Sequence, residues 1–402
     1  MAKANAVAPA AWSGPERALL AQVSGAHFVS HFHIMTLPAM IPLMPNFMNV
    51  SLLDIGLALS VFNIVGFISQ TPMGFATDRF GARNLLLLGL LLGGASFLLI
   101  PFFPSYACLI IAMIGAGLAN GVYHPADYAL LSGGIASHNI GRAFSVHTFF
   151  GYAGAAAAPA ILLPVATHAG LPMAFAVSGG ISLLIAIVVA TSRTLTANAR
   201  QRSGPKTGPI SLRALLTPSV AMLTLFFLVM ALSTYGIQDF SVTALISGYS
   251  VPLPVANAAL TTFLFCTAFG VLAGGIVADR TKRHGYVASI ALILAACAAI
   301  TIASISMPHV IMIALMGFIG LMAGAIAPSR DILVRSVTPA GAEGRIFGIV
   351  STGGYIGAAI APLLFASLLE ARLPWSVFII AAGFMGVTAT ITAIQERSMR
   401  RD

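Results

Sequence analysis

Long apolar runs alternate along the chain with short stretches that gather the Arg, Lys, Asp and Glu residues and many Gly and Pro residues. The runs are about 20 residues or longer, which is the length needed to cross roughly 30 Å of hydrocarbon at about 1.5 Å per residue. This pattern predicts twelve membrane-spanning helices, at about 19–45, 52–75, 84–103, 105–131, 143–167, 171–192, 217–246, 252–277, 285–305, 309–335, 346–369 and 373–395. No alternation of period two runs through these stretches, so a β-barrel is excluded. The expected fold is all-α, because a helix is the structure that satisfies its own backbone hydrogen bonds where water is absent.

Composition supports that reading. Of 402 residues, 58% are hydrophobic and 8% charged, against about 45–50% and 25% in soluble domains. A water-soluble globule is ruled out. Net charge is +9, which in a soluble protein would suggest a nucleic-acid partner. With both termini and alternate loops placed in the cytoplasm, however, every one of the 20 Lys and Arg residues except Arg330 and Arg372 falls on that side. The positive-inside bias therefore explains the charge without nucleic acid and sets the orientation. Cys108, Cys266 and Cys297 lie inside apolar runs without metal-ligand spacing and read as packing residues. The first fifteen residues carry no separate apolar core before the first run, so an uncleaved first helix is expected to direct insertion.

The chain also repeats itself. GRAFSVHTFFGYAGAAAAP, Gly141 to Pro159, matches GRIFGIVSTGGYIGAAIAP, Gly344 to Pro362, at an offset of 203, with Gly151/Gly354, Tyr152/Tyr355 and Pro159/Pro362 among the shared positions. A second repeat lies after spans two and eight, where GFATDRFGAR starts at Gly74 and GIVADRTKRH at Gly275. The basic, Gly/Pro-containing stretch between the copies reads as a linker. It divides the chain into a six-helix bundle at 1–192, a cytoplasmic linker at 193–216 and a second six-helix bundle at 217–402.

These paired motifs resemble the signature G-x-x-x-D-R-x-G-R-[KR] of the major facilitator superfamily. The first copy supplies Gly74, Asp78, Arg79, Gly81 and Arg83, with Ala82 departing from the pattern; the second supplies Gly275, Asp279, Arg280 and Arg283, with Lys282 in place of glycine. Asp78 can accept hydrogen bonds at the start of span eleven near Arg345, and Asp279 at the start of span five near Arg142, where helix dipoles favour an anion. The resemblance implies a cytoplasmic latch between the halves that closes when the transporter faces outward. The alternative is that these charges only set topology.

Ionisable groups in hydrocarbon cost about 2.5–3.5 kcal/mol even on a lenient scale, so their addresses are informative. His27, His31 and His33 lie on span one; Tyr123, His124 and Asp127 on span four; Tyr235, Gln238 and Asp239 on span seven; Arg330 and Asp331 on span ten. In the superfamily these four spans line the central cavity. His27 and His31 share a helix face, while His33 points away. No third ligand of suitable spacing adjoins the two, so no metal site is expected; proton exchange by imidazole is favoured, beside plain interhelical hydrogen bonding. Asp127 and Arg330 occupy equivalent positions in the two halves and are expected to pair across the pathway, closing its cytoplasmic side until substrate or a proton competes for one partner. Arg330 could instead pair with Asp331 or bind an acidic substrate through its planar fork. Asp239 is a candidate protonatable group, and His147 on span five either lines the cavity or packs.

HFVSHFHIMTLPAMIPLM, GVYHPAD and GRAFSVHTFFGY resemble the fosmidomycin-resistance group within that superfamily. This resemblance implies proton-driven export of a small anionic or drug-like molecule by a monomer in a bacterial inner membrane, with no cofactor. Span five departs from the antiporter pattern, having Ala158 before Pro159. Proton symport of an organic acid into the cell is the second transport reading, and a non-transporting receptor or assembly subunit the alternative of another class. No GxxxxGK[ST] phosphate loop occurs, so ATP is not the expected energy source. No activated nucleophile is evident either, so the chain does not read as an enzyme.

Overall fold

The computed structural model describes residues 12–192, 217–338 and 343–398. Among these residues twelve long helices run in chain order: α1 (Gly14–Ile34), α2 (Leu52–Phe80), α3 (Ala82–Phe102), α4 (Tyr106–Gly134), α5 (Ile140–Ala169), α6 (Leu171–Thr191), α7 (Pro218–Tyr249), α8 (Leu253–Arg280), α9 (His284–Ser304), α10 (His309–Ser336), α11 (Glu343–Glu370) and α12 (Ser376–Ser398). No strand occurs among the described residues. Eleven of the twelve helices are long and apolar enough to cross a membrane. The exception is α1, whose first turn carries Glu16 and Arg17 and whose later turns carry three histidines. Its 21 residues still extend about 31 Å. The expected linker at 193–216 lies outside the described residues.

Local chemistry sets the helix ends. Ser13 with Glu16 and Ser51 with Asp54 form capping boxes at the starts of α1 and α2. The Ser105 hydroxyl accepts from Cys108 N at the start of α4, and Thr217 precedes Pro218 at the start of α7. Glu16 also accepts the backbone N–H of Ala136 at 2.9 Å, tying the start of α1 to the turn after α4.

Two sequence expectations need correction. The first span, expected over 19–45, ends as a helix at Ile34 and continues in short helical turns, Thr36–Met40, Ile41–Leu43 and Met44–Met48. Pro38, Pro42 and Pro45 each remove a backbone donor, so one continuous ladder cannot form. The Gly74–Arg83 motif, read as a loop, is helical as far as Phe80 and turns at Gly81, where φ is +86°. Gly275 to Arg280 likewise closes α8. Asp78 and Asp279 therefore occupy last helical turns, in which the dipole favours their neighbours Arg79 and Arg280.

Within the first six helices α1 packs on α5, α2 on α4, and α3 on α4 and α6; the last six repeat this with α7 on α11, α8 on α10, and α9 on α10 and α12. The two sets meet along α2–α11 and α5–α8. At the end of the bundle away from the basic loops, called here the far end, this seam is tight. A Cβ on Gly56 would stand 2.7 Å from the Pro362 carbonyl oxygen. Ser60 donates to Ala359 O at 2.6 Å and Asn63 to Ala358 O at 3.1 Å. The latter carbonyl is the one that Pro362, lacking an N–H, leaves without its helical donor. Leu53 N donates to Glu370 at 2.9 Å, and Asn257 donates to Pro159 O at 3.0 Å. The turns after α1 also lean on α7 there. Toward the basic end, Gly74, Gly141, Gly275 and Gly348 have open space where a side chain would begin. The seam is closed at the far end, while at the basic end these four glycines meet no neighbour.

Candidate functional site

A cavity of about 380 Å³ lies between the two sets of helices. Its wall includes His31 of α1, Tyr152 of α5, Phe227, Tyr235 and Gln238 of α7, Arg330 of α10 and Tyr355 of α11. Among the described residues Arg330 is the only Lys or Arg on this wall. Its guanidinium stands over the Phe227 ring at 5.0 Å and holds Asp331 Oδ1 through Nε and Nη2, both at 2.9 Å. Tyr355 donates to Gln70 Oε1 at 2.7 Å, joining α11 to α2 beside the cavity. The wall is thus largely apolar and aromatic, with few polar groups and one cation, which suits a small molecule carrying one acidic group.

Behind His31 lies a buried imidazole–carboxylate cluster. The His31 ring meets His27 at 4.7 Å between centroids; His27 stacks on His147 of α5 at 3.8 Å and lies 5.3 Å from His124 of α4. Asp127 is 0% exposed, and its Oδ2 stands 3.4 Å from His27 Nδ1 and 3.7 Å from His147 Nε2. Both distances exceed the roughly 2.7–2.9 Å of a charge-assisted hydrogen bond. Both Asp127 oxygens, both His147 nitrogens, His27 Nδ1 and His124 Nδ1 are buried without a hydrogen-bond partner. A buried polar atom left so costs about 1–3 kcal/mol. Gly151 makes room: a Cβ there would fall 2.6 Å from the His27 ring.

The expected Asp127–Arg330 pair is not formed. Asp127 faces α1 and α5 within its own set of six helices, and Arg330 holds Asp331. Sequence equivalence placed the two on corresponding helices, but the cavity separates those helices. His27 is instead approached by Asp127 and His147, which arrive from α4 and α5 where spacing within α1 cannot register them; His31 is not part of that group. His33 points away as read, meeting Ser178 O at 3.2 Å and the Phe97 ring. Tyr123 is buried on α4, Tyr235 and Gln238 reach the cavity, and Asp239 is buried with Oδ1 unpartnered.

The residues expected to form a latch are dispersed in this far-end-closed arrangement. Among the described residues no ion pair involves Asp78 or Asp279. Arg83 donates to Ala190 O at the end of α6, Arg142 stands over the Trp12 ring at 5.4 Å and Arg79 over Phe80 at 5.2 Å. Gly81 makes the turn, Gly275 meets open space, and Arg280 and Arg283 flank the turn into α9. The Arg345 side chain lies outside the described ones. Sequence reasoning missed Tyr152, Tyr355, Gln70 and Phe227 as site residues. The two tyrosines carried a signal, because they are equivalent positions of the internal repeat.

The Major Facilitator Superfamily profile matches residues 23–256 and 237–397. The chain belongs to that superfamily. Membership makes it an integral, multi-pass membrane transporter of a small molecule rather than an enzyme. Among its curated relatives are the probable anion transporter 7 of Oryza sativa subsp. japonica, 24% identical over 354 residues (78% of each chain), and the fosmidomycin resistance protein of Escherichia coli K12, 22% identical over 273 residues (66% of each). The link to the fosmidomycin-resistance protein is therefore distant. Among solved structures, an inward-facing, unoccupied bacterial homolog of the human lysosomal transporter Spinster superposes with a TM-score of 0.79 at 12% identity, covering 97% of this chain and 99% of that one. The nucleoside transporter NupG superposes with a TM-score of 0.75 at 14% identity, covering 95% and 100%. These likenesses show the superfamily fold.

Proposed function

We propose that the chain is a proton-coupled antiporter that exports a small organic anion, such as a phosphonate or carboxylate, by alternating access. The observation that carries this reading is the adjacency of two unlike sites: a cavity with one cation, Arg330, and a buried imidazole–carboxylate cluster that meets the same cavity at His31. The anion takes Arg330 in place of Asp331. The proton takes the cluster, faced by His27, His31, His124, Asp127, His147, Tyr123 and Tyr128 from α1, α4 and α5. Imidazole changes charge near neutral pH, which suits this role. Binding then biases which end of the α2–α11 and α5–α8 seams is shut.

On this reading the bundles are 1–192 and 217–402 joined by the basic linker, the basic loops and both termini are cytoplasmic, and the membrane is a bacterial inner membrane. The arrangement described here is then inward-facing. The unit is a monomer without a nucleic-acid partner. Relatives described as an anion transporter and a fosmidomycin resistance protein support the substrate class.

The test uses proteoliposomes with an imposed pH gradient, a lumenal pH dye, and fosmidomycin and small carboxylates as probes. Antiport predicts anion accumulation in the acidic compartment with protons leaving it, and Arg330→Gln abolishes it. Protons moving with the anion would replace export by symport. Equal transport by wild type and Arg330→Gln across the panel would overturn the anion reading.

A further inference from the structure

We propose that His27, Asp127 and His147 form an exchangeable site for a divalent first-row transition-metal ion of the zinc class, built between α1, α4 and α5. Spacing, donor chemistry and unmet hydrogen-bonding capacity point to it, and the ion and the coupled proton would compete for the same side chains. Asp127 Oδ2 is 3.4 Å from His27 Nδ1 and 3.7 Å from His147 Nε2. Two atoms bound to a tetrahedral ion at about 2.1 Å stand roughly 3.4 Å apart. The distances are too long for hydrogen bonds and match the edges of a metal tetrahedron. All three ligand atoms lie within 4.8 Å of one another. The two imidazoles stack at 3.8 Å between centroids, so binding one ion requires one ring to turn out of the stack and shorten the third edge.

The donor set narrows the ion. Two imidazoles and one carboxylate suit zinc, cobalt or nickel, whereas copper(I) favours sulfur ligands and calcium or magnesium oxygen ligands. Three protein ligands leave a fourth position for water, the pattern of a site that exchanges its ligand rather than a closed structural centre. Each of the three side chains is at least nine-tenths buried, and the ligand atoms lack hydrogen-bond partners. The ion would enter from the cavity past His31, which touches His27 and forms part of the wall.

The experiment titrates the purified full chain with cobalt(II), whose visible bands report tetrahedral coordination, and then displaces it with zinc(II). One ion per chain is expected. Asp127→Asn, His27→Gln and His147→Gln should each weaken binding at least tenfold, while His309→Gln, at the exposed start of α10, should leave it unchanged. Gel filtration and a melting curve establish that each variant is folded; if Asp127→Asn is not, the two histidine variants carry the comparison. The proposal is overturned if no ion is retained at one per chain, or if all variants bind it equally, which would place the ion on surface histidines.

Discussion

Replacing Gly56 with alanine puts a methyl group where the far-end seam has no space. Its Cβ would lie 2.7 Å from the Pro362 carbonyl oxygen and 3.0 Å from the Ala366 Cβ. The first contact is to backbone, so relief requires α2 and α11 to move apart rather than a side chain to rotate. Overpacking of this kind costs about 1–3 kcal/mol. Because the contact exists only while the far end is shut, that cost falls on one of the two alternating states. It should shift their equilibrium roughly 5- to 150-fold toward the far-end-open state. The gain in helix propensity from Gly to Ala, about 0.5–1 kcal/mol, is common to both states and cancels. The assay is a spin-label distance between Phe103, after α3, and Ile305, after α9, which are exposed in far-end turns of opposite halves, in a background with Cys108, Cys266 and Cys297 replaced. Gly56→Ala should move the population to longer distances. An unchanged distribution, or a shift to shorter ones, would refute the assignment of this seam as the far-side gate.

Two further outcomes follow. Exchanging the charges of Asp127 and Arg330 should restore none of the transport lost in Asp127→Asn or Arg330→Gln, because the two residues hold different partners; partial recovery in a transport assay would show that they meet in another state. Glu16, which precedes the expected first span at 19–45, accepts the backbone N–H of Ala136 and that of Ser13, which lowers its pKa from the ordinary 4.5 to about 2. Its folded-state pKa is depressed, so it contributes stability above about pH 4.5 that is lost as pH falls toward 2. Glu16→Gln should therefore melt below wild type at neutral pH, with the gap closing on acidification; a gap that stays constant with pH would contradict this.

The helices were legible because hydrocarbon thickness sets their length and the basic loops punctuate them. The end of α1 was not, since Pro38, Pro42 and Pro45 redirect the chain inside an unbroken apolar run. Polar addresses on α1, α4, α7 and α10 pointed to the cavity, but helical spacing gives a face and not the helix opposite. His147 illustrates this: it joins Asp127 because Gly151, one turn away, leaves room for the His27 ring. The Asp127–Arg330 pair is absent from this arrangement, where each residue holds another partner; pseudo-symmetry relates positions by rotation and does not by itself bring them into contact. Tyr152 and Tyr355 were visible as a repeated pair, yet only the fold shows that both face one cavity.

The most direct test of the account concerns the proton carried at Asp127. In proteoliposomes loaded with a lumenal pH dye, wild type should accumulate a phosphonate against its gradient while moving protons the other way. Asp127→Asn should still exchange labelled for unlabelled phosphonate at equilibrium, yet neither accumulate it nor move protons. Gradient-driven accumulation with undiminished proton movement in Asp127→Asn would contradict the account.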